Sequence, residues 1–118
     1  MGNKRISGEL RYKDKGKVSY TIIEEKNEDS RDCLEITYED NEKRYDWHYY
    51  WKQDGKNAIE HLLEVNYENM KEGFVNHIHK YGYTLHKGEY QLLKEVIVIF
   101  ISHKEYILDI CKREGLCQ

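Results

Sequence analysis

Two histidine-containing stretches have spacings that could support chemistry. Asp46 and His48 lie two positions apart in RYDWHYYWK (44–52), and His77 and His79 lie two positions apart in NHIHK. A carboxylate and an imidazole on one face could bind a metal together, or act as a general base with the group that orients it. Residues two apart share a face only on a strand, because on a helix they point about 200° apart. The secondary structure around each pair therefore decides whether it can act.

The surrounding residues predict a strand for the first pair and a helix for the second. On that basis His77 and His79 diverge, and only Asp46 and His48 share a face. No third ligand follows in the sequence, so we interpret Asp46 and His48 as a surface pair and predict neither a metal site nor a cofactor. The chain has no GxSxG motif, no cysteine with a recognisable histidine partner and no glycine-rich phosphate loop. We therefore predict that the protein is not an enzyme.

The stretch 44–52 also concentrates aromatic residues, and alternation divides its side chains between two faces. One face carries Tyr45, Trp47, Tyr49 and Trp51, and the other carries Asp46, His48 and Tyr50. An exposed aromatic row could stack single-stranded bases, but that design needs a basic groove beside it for the phosphates. The segment before this stretch is acidic, so we favour burial of the tryptophan face in the core. His48 and Tyr50 then point outward.

The N-terminal half shows the period-two alternation of four strands joined by short turns. The positions that share one face are Ile6, Gly8, Leu10 and Tyr12 in the first strand, Val18, Tyr20 and Ile22 in the second, Leu34, Ile36 and Tyr38 in the third, and the tryptophan face in the fourth. Turns are predicted at Asp14–Gly16 and at Asp40–Lys43. The pattern predicts an α+β fold, in which a four-stranded antiparallel meander buries one face beneath the C-terminal half.

The C-terminal half supplies helices to cover that face. Asn57 and Glu60 form a variant of the capping box at the start of a helix. Gly73 is predicted to interrupt this helix, and a second segment is predicted to end near Gly82, which suits a left-handed terminal position.

The last part of the chain contains an ambiguous apolar run. Residues 96–101 are compatible with either a buried fifth strand or a helix. The stretch SHKE (Ser102–Glu105) reads as a capping box and predicts a last helix from about Lys104 to Arg113, with Gly115 as its stop.

Length and composition are typical of a globular domain. The chain has 118 residues, of which 39% are hydrophobic and 35% charged, and we expect a single domain over 1–118. No apolar run approaches the roughly 18 residues needed to cross a bilayer, and the polar N-terminus does not resemble a signal peptide. Three scattered cysteines favour reduced thiols over a disulfide framework. We therefore expect a cytoplasmic protein that does not contact a membrane.

Charge is unevenly distributed around a formal net charge of −3. Residues 1–20 contain six basic and two acidic side chains, whereas residues 24–46 contain four basic and ten acidic ones. Such asymmetry favours electrostatic steering of a partner. Proline is absent and alanine occurs once, while Lys, Glu, Ile, Tyr and Asn are abundant, a usage that suggests an AT-rich bacterium or one of its mobile elements.

These features favour a binding protein. Eleven tyrosines exceed what a small core accommodates, since each buried hydroxyl needs a partner, so some should lie outside, where tyrosine is common at interfaces. The predicted partner-binding residues are Glu35, Thr37, Glu39, Asp40, Glu42, Asp46, His48 and Tyr50. We hypothesise an inhibitor that occludes a larger protein, such as a nuclease or another nucleic-acid-binding protein. The size and charge are typical of anti-defence proteins such as anti-CRISPRs, and of immunity proteins that neutralise nuclease toxins.

The alternative hypothesis is a small nucleic-acid-binding module built on the basic N-terminal hairpin. Its cationic side chains are Lys4, Arg5, Arg11, Lys13, Lys15 and Lys17. An outward face with these residues could grip a phosphate backbone. The overall acidity of the chain makes direct nucleic-acid binding the weaker of the two hypotheses.

Overall fold

The chain is an α+β fold in which an antiparallel sheet lies against a layer of helices. The computed structural model describes residues 4–12, 16–24, 32–51 and 55–115. Within these ranges the strands are β1 (Lys4–Leu10), β2 (Lys17–Glu24), β3 (Cys33–Glu39) and β4 (Arg44–Tyr50), and the helices are α1 (Ala58–Glu64), α2 (Tyr67–Lys80), α3 (Lys87–Ser102) and α4 (Lys104–Arg113). The sheet order β1-β2-β3-β4 is antiparallel throughout, which confirms the predicted meander.

The inner face of the sheet is assembled from alternating residues of all four strands. The register places Gly8, Tyr20, Ile36 and Trp47 in one row across this face. Gly8 suits that row because a Cβ there would lie 2.5 Å from the Tyr20 hydroxyl oxygen. Tyr20 in turn meets Phe100 of α3 edge to face, with ring centroids 6.0 Å apart. This row joins the sheet to the helix layer.

The two tryptophans, one in β4 and one just after it, are buried beneath the helices. Trp47 is 1% exposed and Trp51 is 2% exposed. The indole N–H of Trp47 donates a 3.0 Å hydrogen bond to Glu89 of α3. The Trp51 ring stacks on His61 of α1, with centroids 5.2 Å apart and planes 6° apart. The predicted burial of the tryptophan face is confirmed, and neither ring is open to nucleic-acid bases.

Helices α1 and α2 each begin at a reciprocal capping box. At α1, Asn57 accepts from the backbone N–H of Glu60 while the Glu60 carboxylate accepts from the backbone N–H of Asn57, as predicted. At α2, Asn66 and Asn69 make the same exchange. The break between the helices therefore lies just before Asn66. The predicted interruption at Gly73 is wrong, because Gly73 lies inside the continuous helix α2.

The ambiguous apolar run belongs to α3. The buried residues of α3 recur at helical spacing, and they are Leu92, Leu93, Val96, Ile97 and Phe100. Val98 projects away from this face and is 55% exposed. A β-branched residue lowers helix propensity by only about 0.5 kcal/mol, so burial of one helical face decides the conformation. Residues 96–101 are therefore helical rather than a fifth strand.

The last helix has the predicted limits but a different start. α4 spans Lys104–Arg113, and Gly115 follows with φ +75°. The predicted capping box at Ser102–Glu105 is wrong, because Ser102 ends α3 and its hydroxyl donates to the Ile99 carbonyl at 2.7 Å. The residue before α4 makes no side-chain cap.

Several predicted features fall outside the described residues. They are Asp14 and Lys15 of the first turn, Lys13, residues 25–31 between β2 and β3, and Cys117. The other two cysteines, Cys33 and Cys111, are buried as reduced thiols. Among the described helices, none combines the length and apolar character needed to cross a membrane.

Candidate functional site

The outer face of the sheet, opposite the helices, carries most of the predicted partner-binding residues. On β3 and β4 the facing pairs are Glu35 and His48, Thr37 and Asp46, and Glu39 and Arg44. Facing residues on antiparallel strands have Cβ atoms about 5 Å apart. These six side chains therefore form one continuous polar surface, which we call the β3–β4 strip.

Asp46 occupies the centre of the β3–β4 strip as an ionised carboxylate. Thr37 Oγ1 donates to Asp46 Oδ1 at 2.7 Å, and Arg44 donates to both carboxylate oxygens at 3.3 Å. Partial burial raises the pKa of Asp46, but these bonds outweigh burial and leave the pKa below its usual value. Arg44 also lies 3.7 Å from Glu39, so one guanidinium sits between two carboxylates.

His48 bonds to Glu35 rather than to Asp46. The two atoms in contact, His48 Nε2 and Glu35 Oε2, are 3.0 Å apart across the strand pair. Asp46 and His48 do share the predicted face, but residues two apart along a strand are separated by about 7 Å, farther than facing residues on the neighbouring strand. Glu35 is therefore the carboxylate that orients the imidazole.

Helix α2 adds ring groups to the strip. The His77 ring lies with its centroid 5.0 Å from Tyr50 and 5.7 Å from His48. Tyr81 follows, with its centroid 4.8 Å from His77. We call these four residues the aromatic–histidine cluster. From the sequence, His77 was assessed only as a metal ligand together with His79, and that pair was rejected. Its contact with Tyr50 could not be predicted, because no local pattern shows where α2 lies relative to β4.

Gly73 allows the close approach of α2 to β4. A Cβ at Gly73 would lie 2.4 Å from the Tyr49 ring, and Phe74 packs on the same ring at 5.8 Å. His77 and Tyr81 follow Gly73 at intervals of four, and residues at that interval share a helix face. The side of α2 that touches β4 thus continues into the cluster. This spacing is the one sequence signal that could have identified His77 and Tyr81.

The end of α2 exposes two tyrosines at the rim of the cluster. Gly82, with φ +78°, follows the helix at the predicted position. Its N–H donates to the His79 carbonyl at 3.0 Å, and the Tyr83 N–H donates to the Ile78 carbonyl at 3.2 Å, which is the Schellman pattern. Tyr81 is 61% exposed and Tyr83 is 72% exposed. The turn thus projects both rings beside the strip.

Two clefts meet at Tyr50 and His77. The smaller has a volume of about 310 Å³ and lies between β4 and the C-terminal end of α2. Its lining includes Asp46, His48 and Tyr50 from β4, with His77, Tyr81 and Tyr83 from the other side. The larger, of about 530 Å³, lies between α1, α2 and the end of β4, and an ion pair between Lys56 and Glu64 lies at its wall.

His77, which α2 contributes to the cluster, is uncharged near neutral pH. Burial lowers the pKa of His77, and the nearby charges of His48 and Lys80 lower it further. Neutral imidazoles are good metal ligands, yet in the described ranges no three histidine, cysteine or acidic side chains are placed to hold an ion. The arrangement instead suits contacts through ring faces and carboxylate oxygens.

Asp40 serves the turn between β3 and β4. Its carboxylate accepts from the Tyr38 hydroxyl at 2.6 Å and from the backbone N–H groups of Glu42 and Lys43 at 2.8 and 2.9 Å. The bond to Asp40, together with burial, raises the pKa of Tyr38 to about 12. Both Asp40 oxygens are engaged within the protein, whereas Glu42 is exposed at the turn. The Asp40 side chain is also only 14% exposed, so it is poorly accessible to a partner.

The basic segment 1–20 and the acidic segment 24–46 do not leave all of their charges exposed and unpaired. Glu24, the first acidic residue of the 24–46 segment, is buried and only 3% exposed. On the basic hairpin Arg5 and Arg11 are exposed, but Lys17 forms a 3.0 Å ion pair with Glu9. The acidic character of the outer face thus depends on the β3–β4 strip.

The chain matches no protein-family model, and comparisons with curated proteins and with solved structures find no significant similarity. A function for this protein therefore has to follow from its own surface.

Proposed function

We propose that this protein is a non-enzymatic inhibitor that binds a larger protein through the β3–β4 strip and the aromatic–histidine cluster. The observation that carries the proposal is the continuity of these two surfaces. The strip supplies charged and hydrogen-bonding side chains, and Tyr50, Tyr81 and Tyr83 extend it with exposed rings. Tyrosine contributes a large contact area at a low cost in side-chain entropy.

The charges of the strip favour a basic partner. Glu35, Glu39 and Asp46 are acidic and Arg44 is basic, so the strip keeps a negative excess whether or not His48 is protonated. Complementary charges speed association and select among partners. Proteins that handle nucleic acids present basic surfaces of this kind. Occlusion of such a surface would keep the partner from its substrate.

The biological setting that fits this proposal is defence and counter-defence in bacteria and phages. A protein of 118 residues with a net charge of −3 resembles anti-CRISPR and toxin-immunity proteins in size and charge. Arg44 within the strip argues against mimicry of a whole nucleic-acid backbone, because mimicry requires an unbroken row of negative charge. The mixed charge of the strip is still compatible with binding to a basic groove on the partner.

Charge reversal within the strip tests the proposal. The double variant Glu39→Lys/Asp46→Lys should lose a partner that the wild type captures from source cells. The reversal places like charges beside Arg44, so the thermal unfolding midpoint should fall somewhat, but the loss of binding should be the larger effect. The matched control is Asp109→Lys/Glu114→Lys, which reverses two exposed acids near the end of α4.

The captured protein is then identified and assayed for nucleic-acid binding or cleavage. Wild-type protein in stoichiometric amounts should inhibit that activity, and the strip variant should not. Equal capture by the strip variant and the α4 variant would refute the assigned surface. A captured partner whose activity is unchanged by the wild type would refute inhibition.

Direct nucleic-acid binding is the competing function, and it predicts a different result. Labelled single- and double-stranded oligonucleotides would bind at low salt, with affinity falling steeply as salt rises. Arg5→Gln/Arg11→Gln would then weaken binding, because both side chains are exposed on β1 or just after it. We expect no such binding, because the chain is acidic overall, with a formal net charge of −3.

A further inference from the structure

The geometry points to a specific role for the smaller cleft: it receives an arginine side chain of the partner. This inference rests on the proposed function and deepens it by naming the group that is recognised. The cleft lies between the outer face of β4 and the end of α2, and its volume of about 310 Å³ lies at the lower end of the range for ligand clefts, about 300–1,000 Å³.

The walls of this cleft include aromatic side chains that are accessible to a partner. Tyr50 is 40% exposed, while Tyr81 and Tyr83 are more exposed still. His77 packs between Tyr50 and Tyr81, with centroid distances of 5.0 and 4.8 Å, and so holds the two rings in position. A guanidinium group stacks on aromatic faces and is attracted by their negative quadrupole.

The charges around the cleft favour a cation. Asp46 lies in its lining and is held as a carboxylate by Thr37 and Arg44. The C-terminal end of α2 carries the negative pole of the helix dipole toward the same place. His77 adds no opposing charge near neutral pH, because burial lowers its pKa. Two of the described cations are nearby: Lys80 lines the larger cleft, and Arg44 is paired with Asp46 outside the lining of this cleft.

Asp46 retains the capacity to bind an incoming guanidinium. A carboxylate offers about four acceptor positions. Among the described residues, Thr37 and Arg44 Nη2 both donate to Oδ1, whereas Oδ2 receives Arg44 Nε alone, at 3.3 Å. Oδ2 therefore has an acceptor position left. Arginine fits better than lysine because its planar group can stack on a ring and donate to Oδ2 at the same time.

Titration of the whole protein with a blocked Gly-Arg-Gly peptide tests this inference by NMR. The expected result is a saturable shift of the Tyr50, His77 and Tyr81 resonances. The lysine peptide should bind more weakly, and the citrulline peptide, which has nearly the same shape without the charge, should not bind. Absence of a saturable shift up to tens of millimolar peptide, or equal shifts with citrulline, would overturn the inference.

Two variants and their matched controls assign the effect to the cleft. Tyr81→Ala should weaken binding about two- to fivefold, the range expected for one exposed cation–π contact. Tyr106→Ala, at a residue 60% exposed on α4 against 61% for Tyr81, should leave binding unchanged. Asp46→Asn should also weaken binding, while Asp109→Asn on α4 should not. If the cleft variants and the α4 variants had equal effects, the cleft would not be the binding site.

The same variants separate this inference from the proposed function. If a protein partner bound Tyr81→Ala and Tyr83→Ala as tightly as the wild type, the arginine-binding role of the smaller cleft would be refuted. The β3–β4 strip would still stand as the interface. If the arginine peptide bound in the cleft but no protein partner of the strip were found, the arginine-binding role would stand and the proposed inhibitor function would be refuted.

Discussion

The rings of His77 and Tyr50 lie with centroids 5.0 Å apart, although His77 belongs to a helix and Tyr50 to the outer face of β4. The helices cover the inner face of the sheet, so a helical residue can reach the outer face only past a sheet edge. β4 is such an edge, and α2 touches both its inner residue Tyr49 and its outer residue Tyr50. The position of α2 along this edge therefore determines the shape of the proposed interface.

Gly73→Ala should lower the free energy of unfolding by up to about 2 kcal/mol. The new methyl group would lie 2.4 Å from the Tyr49 ring, and overpacking of this kind costs about 1–3 kcal/mol. The gain of about 1 kcal/mol from replacing a helical glycine by alanine offsets only part of that cost. Urea unfolding measures the difference.

Gly88→Ala is the control for this prediction, since Gly88 lies in the first turn of α3 and a methyl group added there would meet no atom of the described residues within 4 Å beyond its chain neighbours and its own helix backbone. It should be neutral or stabilising by up to about 1 kcal/mol. If Gly73→Ala were as stable as Gly88→Ala, α2 could not lie as close to β4 as described.

Glu89→Ala should destabilise the protein by about 1–3 kcal/mol, because it leaves the buried indole N–H of Trp47 without its acceptor. Glu105→Ala provides the comparison, since Glu105 occupies the first turn of α4 as Glu89 does that of α3. Both changes remove a carboxylate that favours the helix dipole, so the difference between them isolates the bond to Trp47. Thermal unfolding followed by tryptophan fluorescence measures both, and equal losses would contradict this role for Glu89.

Stability should decrease as the pH is lowered and His77 becomes protonated. The pKa of His77 is lowered from 6.5 by burial and by the charges of His48 and Lys80, so the unfolded chain binds this proton more readily than the folded protein. The contribution is therefore fully present above about pH 6.5 and is lost as the pH falls toward the lowered pKa. His77→Gln should flatten this part of the pH–stability curve, whereas His79→Gln should not. NMR titration of the His77 ring with a midpoint at or above 6.5 would contradict the assigned environment.

Asp40→Ala should lower the pKa of Tyr38 from about 12 toward its ordinary value near 10, because the bond to Asp40 is the main cause of the rise. The tyrosine-selective NMR titration that measures this also tests how Asp40 is used. If Asp40 serves the turn, the variant should still capture the partner that Glu39→Lys/Asp46→Lys loses. Loss of the partner with an unchanged Tyr38 titration would place Asp40 in the interface instead.

Alternation predicted the sheet and its two faces because the inner side of the strands is buried along their length, whereas the outer side is buried mainly at Ile23 and Cys33. The tryptophan face had to meet the helices once the neighbouring strands were apolar on the same side, and the structure buries both tryptophans. Local signals also predicted the cap at Asn57 and the end of α2 at Gly82, since both depend on contacts within a few residues. The break before Asn66 was missed because Asn69 stands where a capping box usually has Glu or Gln.

The sequence by itself determined which side chains leave the sheet on its outer face, since that follows from strand periodicity alone. Only the tertiary structure decided that Glu35 orients His48, and that His77 and Tyr81 join Tyr50. The first contact depends on the register of β3 with β4, and the others depend on how closely α2 approaches β4, where Gly73 packs on Tyr49. Periodicity specifies the direction in which each side chain points. A site also requires particular distances between side chains on different elements, and those distances are set when the core packs.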